Sequence, residues 1–148
     1  MLERLLARRF DGGNSMLTAS ILAHLFKDTL WDHVNYTNGL LKTKRDAVFA
    51  GLETHLGSIC TWTKPVGGLF IWVGFPPDVD QHQLARLATE RGVLFAKGAA
   101  FHIDNVAIPY LRLAFGYASL EAIHAGIPVL AQCIQEARQS TGSVAAGS

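Results

Sequence analysis

The sequence predicts an α+β fold: a small, mostly antiparallel sheet packed against helices and preceded by a long helix. Three observations lead there. Apolar residues recur at three-four spacing near both ends of the chain. Between them lie short apolar runs bounded by Gly and Pro, at residues 59–63, 69–73, 93–96 and 110–115. One amphipathic segment, 80–92, separates the second run from the third. The order is therefore helices, strand, strand, helix, strand, strand, helix, which is the α+β pattern.

The elements follow in order. Leu2, Leu5 and Leu6 fit the end of a helix that Gly12-Gly13 stops. Asn14 or Ser15 can cap a second helix to about Lys27, with Leu17, Ile21, Leu22 and Leu25 as its stripe. A third runs from about Leu30 to Leu56, and Asn38-Gly39 inside it predicts a bend. Its basic cluster, Lys42, Lys44 and Arg45, reads as a solvated face or, with weaker signal, an anion site. After the first run, Pro65-Val66-Gly67-Gly68 is a turn. The second run, Leu69 to Val73, is apolar on both faces, which predicts a central strand covered on both sides. Asp80 reads as an N-cap with Gln83 three residues on, and Gly92 closes that helix. Ser119 caps the last helix, whose buried stripe is Ile123, Ile127, Leu130 and Ile134. Pro128 lies inside it and predicts a kink or a break. The Ser/Gly/Ala-rich stretch 140–148 reads as a flexible tail.

Composition narrows the function classes. The chain has 148 residues, 49% of them hydrophobic and 17% charged, which describes one globular domain and not a disordered segment. Thirteen Lys and Arg against twelve Asp and Glu leave no nucleic-acid footprint. Cys60 and Cys133 have no C-x-x-C spacing, so a reducing, cytoplasmic setting is expected. The charged start MLERLLARR is not a secretory signal. The run 16–26 is too short for a bilayer and contains His24.

Chemistry-bearing motifs are few. His24, His33, His55, His82, His102 and His124 show no i, i+4 metal spacing, so no metal site is expected. There is no G-x-S-x-G, no S-x-x-K and no Gly-rich phosphate loop. Phe70, Trp72, Phe75, Phe95 and Phe101 read as core aromatics, since they lack the interleaved basic residues of a stacking platform. One residue stands out. In Tyr110-Leu111-Arg112-Leu113-Ala114-Phe115, alternation places Leu111, Leu113 and Phe115 on a core face and Tyr110, Arg112 and Ala114 on the other. A guanidinium is planar, always charged and shaped to grip a carboxylate with two hydrogen bonds. The strand alone favours a solvated or ion-paired arginine, because Arg is usually exposed.

Three segments shift that balance. The stretch 63–72, Thr63-Lys64-Pro65-Val66-Gly67-Gly68-Leu69-Phe70-Ile71-Trp72, resembles the P-x-G-G-[MLF]-[FY]-[LI]-W pattern of class I/II aminotransferases, the fold-type I enzymes that use pyridoxal phosphate. The stretch 91–101 resembles their R-G-V-x-x-x-P-G-x-x-F, with Lys97 in place of the proline, and 110–115 resembles their [YF]-[LIV]-R-[LI]-x-[FY]. The three occur in family order, and the likeness is strongest to the branch of 2-aminoadipate, kynurenine and aromatic aminotransferases. The resemblance implies a C-terminal small domain at 30–139 that includes the long helix linking it to a large domain, with 1–29 as the end of that large domain. It implies Arg112 as the residue that binds the substrate α-carboxylate. The family's Schiff-base lysine, pyridinium-partner Asp and phosphate-binding groups belong to the large domain. None of Lys27, Lys42, Lys44, Lys64 or Lys97 has a matching context. The chain is thus expected to bind an amino acid or 2-oxo acid carboxylate, to carry no catalytic residue, and not to hold pyridoxal phosphate alone. Its expected partner is a large domain or a second copy, with no membrane and no nucleic acid. A different class, a non-catalytic binding module derived from the same domain, is the alternative. An unrelated ferredoxin-like module is a third, and it would lack the long helix.

Overall fold

The computed structural model describes residues 15–104 and 106–144, with side chains described up to 138. The expected helix at 2–9 and the end of the tail, 145–148, lie outside the described residues. Helix α1 spans Met16–Leu56, β1 Thr61–Trp62 and β2 Phe70–Gly74. Helix α2 spans Gln81–Glu90, and β3 spans Ala96–Lys97, running into a 3-10 turn at Gly98–Phe101. Strand β4 spans Tyr110–Ala114 and α3 spans Leu120–Val144. The chain divides into two compact units at residues 39 and 40.

The two helices expected before Leu56 are one. No Gly or Pro interrupts the chain around the expected break, and Thr29 folds its hydroxyl back onto Leu25 O at 2.7 Å, staying inside the helix. Ser15 starts it, accepting from Thr18 N at 3.4 Å. Within the first unit most of its apolar side chains are exposed, among them Leu17, Ile21, Leu25 and Trp31. Within the second unit Val48, Leu52 and Leu56 enter the core. The long helix excludes the ferredoxin-like alternative.

The sheet is antiparallel throughout, in the order β1-β2-β4-β3. Two expected strands are shorter, each because a helix end captures its first residues. Ile59 N and Cys60 N donate to Leu56 O at 3.0 and 2.9 Å, so β1 starts only at Thr61. Arg91-Gly92-Val93 forms a Schellman closure of α2: Val93 N donates to Ala88 O at 2.8 Å and Gly92 N to Thr89 O at 3.1 Å, with Gly92 at φ +77°. The third strand therefore begins at Ala96. At the other end of α2, the Asp80 carboxylate accepts from His82 N and Gln83 N at 2.8 and 3.1 Å, as its capping role predicts. Those backbone bonds hold its carboxyl below the ordinary carboxylate value.

One core serves the second unit. Ile71, Val73, Leu111 and Leu113 turn one sheet face toward Leu52, Leu84, Ile123, Leu130 and Ile134 of the helices. Truncating one such buried leucine to alanine typically costs about 2–5 kcal/mol. Ser119 caps α3 as expected, and the helix is not split at Pro128: it runs unbroken to Val144, into the stretch read as tail. Its contact with α1 is close, for a Cβ on Gly51 would lie 3.0 Å from Ile127 Cγ2. Burial of the Ile123, Ile127, Leu130 and Ile134 stripe offsets the backbone bond that Pro128 removes. Among the described residues, no helix is long and apolar enough to cross a membrane.

Candidate functional site

Strand β2 is central, yet it is covered on one face only among the described residues, not on both as its apolar run suggested. Ile71 and Val73 are buried, while Phe70 is 42% exposed and Trp72 half-buried. The same split holds on β4, where Leu111 and Leu113 are buried, Tyr110 and Ala114 exposed, and Arg112 half-buried. Register makes the open face continuous: Phe70 pairs with Ala114, Trp72 with Arg112, Gly74 with Tyr110, and Ala96 of β3 with Arg112 from the other side. Arg112 thus stands in the middle of an open sheet face rich in aromatic rings.

Two of those rings hold it. The guanidinium carbon lies 3.9 Å from the Phe70 ring centroid and 4.3 Å from that of Phe101. Both are well inside the reach of a cation–π contact. Phe70 comes from the β2 side and Phe101 from the 3-10 turn after β3. Trp72 packs edge-on against Phe101 at 5.1 Å and against Tyr110 at 6.5 Å. Phe75 is core, as expected, and Phe95 packs against the core. Phe70 and Phe101 are not core: they form a stacking pair that sequence reasoning missed. The signal was the alternation in β2, which puts Phe70 opposite to Ile71 and on the face of Trp72.

The polar partners of Arg112 are the decisive feature. Arg45, Arg86, Arg91 and Arg138 each bridge to a carboxylate: Asp46, Glu90, Glu136 and Asp78 respectively. Among the described residues, no such partner and no side-chain hydrogen bond is found for Arg112, and its Nε is buried without a partner. An unsatisfied buried donor costs about 1–3 kcal/mol, so the ion-paired surface arginine that the strand alone favoured does not describe this residue.

Glycines let these side chains meet. A Cβ on Gly98 would stand 2.6 Å from Ile108 Cγ1 and 2.7 Å from Tyr110 O, so only glycine allows the turn carrying Phe101 to press onto β4. A Cβ on Gly74 would stand 2.9 Å from the Tyr110 ring. Lys97, where the family pattern has proline, keeps φ at −68°, the angle a proline ring would impose.

Two members of the basic cluster of α1, Lys44 and Arg45, are structural. Lys44 Nζ donates to Gly116 O at 2.9 Å, and Arg45 Nη1 reaches Pro65 O and Val66 O at 3.4 Å, tying the helix to two loops at one end of the sheet. An anion site there would have to displace those carbonyls. Among the described residues no three His, Cys, Asp or Glu side chains are grouped to hold a metal ion. A cavity of about 180 Å³ beside α3 is lined by Gly, Ala and aliphatic residues such as Val48 and Leu113, which offers no chemistry.

Lys97 pairs with Leu111, so it shares the helix-covered side and lines a surface with His82 and Arg86 of α2, away from Arg112. Lys44 is engaged with Gly116 O.

The family model for aspartate amino-transferase matches residues 22–143. The chain is 32% identical over 139 residues to the uncharacterized HTH-type transcriptional regulator YdfD of Bacillus subtilis, covering 92% of this chain and 28% of that protein. It is 36% identical over 95 residues to aromatic-amino-acid aminotransferase 1 of Thermococcus litoralis, covering 64% of this chain and 23% of the relative. Its fold matches the crystal structure of LysN, the α-aminoadipate aminotransferase of Thermus thermophilus, solved with N-(5'-phosphopyridoxyl)-L-leucine. The TM-score is 0.78 at 23% identity, over 84% of this chain and 32% of that one. The chain spans under a third of each of these proteins. With its antiparallel four-stranded sheet, long first helix and family match over residues 22–143, the chain belongs to the aspartate aminotransferase family and has the fold of the C-terminal small domain of fold-type I aminotransferases.

Proposed function

We propose that Arg112 grips the α-carboxylate of an amino acid or 2-oxo acid. In this reading the chain is the carboxylate-binding part of a pyridoxal-phosphate-dependent aminotransferase. One observation carries it: Arg112 is the described arginine without a carboxylate partner, and it stands on an open face. Amino acid and 2-oxo acid share the α-carboxylate, so one clamp serves both directions of amino transfer, and fixing it orients the bonds that react. The residues of this chain supply binding, and it does not hold the cofactor alone. The Schiff-base lysine and phosphate cradle belong to the large domain, and residues 1–29 are the end of that domain. The exposed apolar stripe of α1 is where the large domain or a second copy packs. The free thiols of Cys60 and Cys133 accord with a cytoplasmic protein.

The test is amino transfer to 2-oxoglutarate by this chain complemented with a large domain that carries pyridoxal phosphate, as a separate polypeptide or by fusion. A hydrogen bond to a charged group is worth about 1.5–3 kcal/mol, so Arg112→Lys, which keeps charge but loses the fork, lowers kcat/KM by roughly one to two orders of magnitude. Arg112→Ala loses more. Wild-type kcat/KM in Arg112→Ala sinks the clamp.

One observation favours a second reading, a non-catalytic binding module. The likeness to the regulator YdfD extends over 92% of this chain, against 64% for the aminotransferase of Thermococcus litoralis. Arg112 would then grip the carboxylate of a small effector. Arg112-dependent binding of amino acids without any turnover supports this reading over the first.

A further inference from the structure

We infer that Phe70 and Phe101 are positioning residues that preset Arg112, and that they leave only its two terminal nitrogens to receive a carboxylate, end-on. The inference rests on the clamp reading and adds how the clamp is held and from which edge it is used.

A guanidinium has two faces and two hydrogen-bonding edges. One edge is the pair of terminal nitrogens, and the other joins Nε to one of them. Either edge can take a carboxylate with two parallel bonds. Here the guanidinium carbon lies over the Phe70 ring at 3.9 Å and over the Phe101 ring at 4.3 Å. Nε is buried and without a partner, so a ligand does not reach the edge that includes it while Nε stays covered. Nη1 and Nη2 are not among the buried unsatisfied atoms, and they form the edge that remains.

Rings and charge also fix the side chain before any ligand arrives. A free arginine carries large rotamer entropy, and most of it is lost when the fork is held. Stacking removes that freedom in advance, so less is lost when a carboxylate binds. The rings do this without competing, because a ring face offers attraction to the cation but no acceptor that would occupy the nitrogens. An acidic neighbour, such as the partners of Arg45, Arg86, Arg91 and Arg138, would hold the guanidinium equally well and block it. The placement of Phe101 depends on Gly98, and that of Phe70 on the β2–β4 register.

The experiment uses the 148-residue chain, labelled with ¹⁵N, and the Arg112 Nε–H signal identified by its loss in Arg112→Lys. In the wild type this proton exchanges slowly with water. In Phe70→Leu and Phe101→Leu it exchanges at least ten times faster, while Phe70→Tyr and Phe101→Tyr, which keep a ring face, retain the protection. Both phenylalanines are over 40% exposed, so core signals from Ile71 and Leu111 stay in place. Unchanged exchange in both leucine variants overturns the positioning role and leaves the clamp reading standing. Pyruvate, the smallest 2-oxo acid, is then titrated in. The terminal nitrogens shift and Nε–H stays nearly still. Each leucine variant weakens binding by roughly two- to thirty-fold, the equivalent of one cation–π contact. A large downfield shift of Nε–H overturns the end-on geometry. Pyruvate binding that survives Arg112→Lys unchanged overturns the clamp itself.

Discussion

Arg91 at the end of α2 and Glu136 on α3 are joined by two parallel hydrogen bonds, Nη1 to Oε1 at 2.9 Å and Nη2 to Oε2 at 2.7 Å. The same Arg91 begins the Schellman closure of α2, so the R-G-V segment ends a helix and fastens it to its neighbour. The Arg91 guanidinium holds the Glu136 carboxyl below its ordinary value of 4.5. A depressed folded value means stability that is present above pH 4.5 and lost as pH falls through the folded value. Glu136→Gln is therefore expected to melt slightly below wild type at pH 7. The gap is small because both side chains are over a third exposed. It should close as pH drops below 4.5, followed by thermal melts across pH. A gap that is as large at pH 2 would show that Glu136 acts through something other than its charge.

Gly98→Ala tests how the Phe101 turn is seated. Its Cβ would meet Ile108 and the backbone oxygen of Tyr110, which cannot turn aside as a flexible side chain can. Overpacking of this kind costs about 1–3 kcal/mol, so a Tm several degrees lower is expected. Faster Nε–H exchange at Arg112 should accompany it, since the turn carries Phe101. An unchanged Tm would show that the turn has room to shift.

Cys60 is buried at 6% exposure, and burial pushes its thiol up to about 11 from an ordinary 9.0. The thiolate is the reactive form, so the native thiol should react with a disulfide reagent at pH 8 roughly a hundred times more slowly than in denaturant. Fast labelling of Cys60 in the native protein would mean that the end of α1 opens readily.

The apolar stripe of α1 in the first unit predicts association. Leu17, Ile21, Leu25 and Trp31 are 57–73% exposed in one helix, and large exposed apolar patches mark interfaces. Light scattering of the purified chain should show self-association that Ile21→Lys with Leu25→Lys reduces. A monomer at high concentration in the wild type would argue against this face as an interface.

Much of this protein was legible in its residues taken a few at a time. Alternation in 110–115 put Leu111 and Leu113 inside and Arg112 on the other face, because successive residues of a strand must point oppositely. Asp80, Gly92 and Ser119 marked helix ends correctly, because capping is a contact between residues two to five apart. Tertiary structure decided what depends on distant partners. The ends of β1 and β3 were set by helix carbonyls capturing their N–H groups. The open face of β2 depended on where the helices packed, and its apolar run could not reveal that. The site is the clearest case: Phe70, Phe101 and Arg112 lie far apart in the chain and meet only through the β2–β4–β3 register and a turn that Gly98 alone permits. That Arg112 has no carboxylate beside it, among the described residues, follows from where the chain places its acids, which local pattern does not encode.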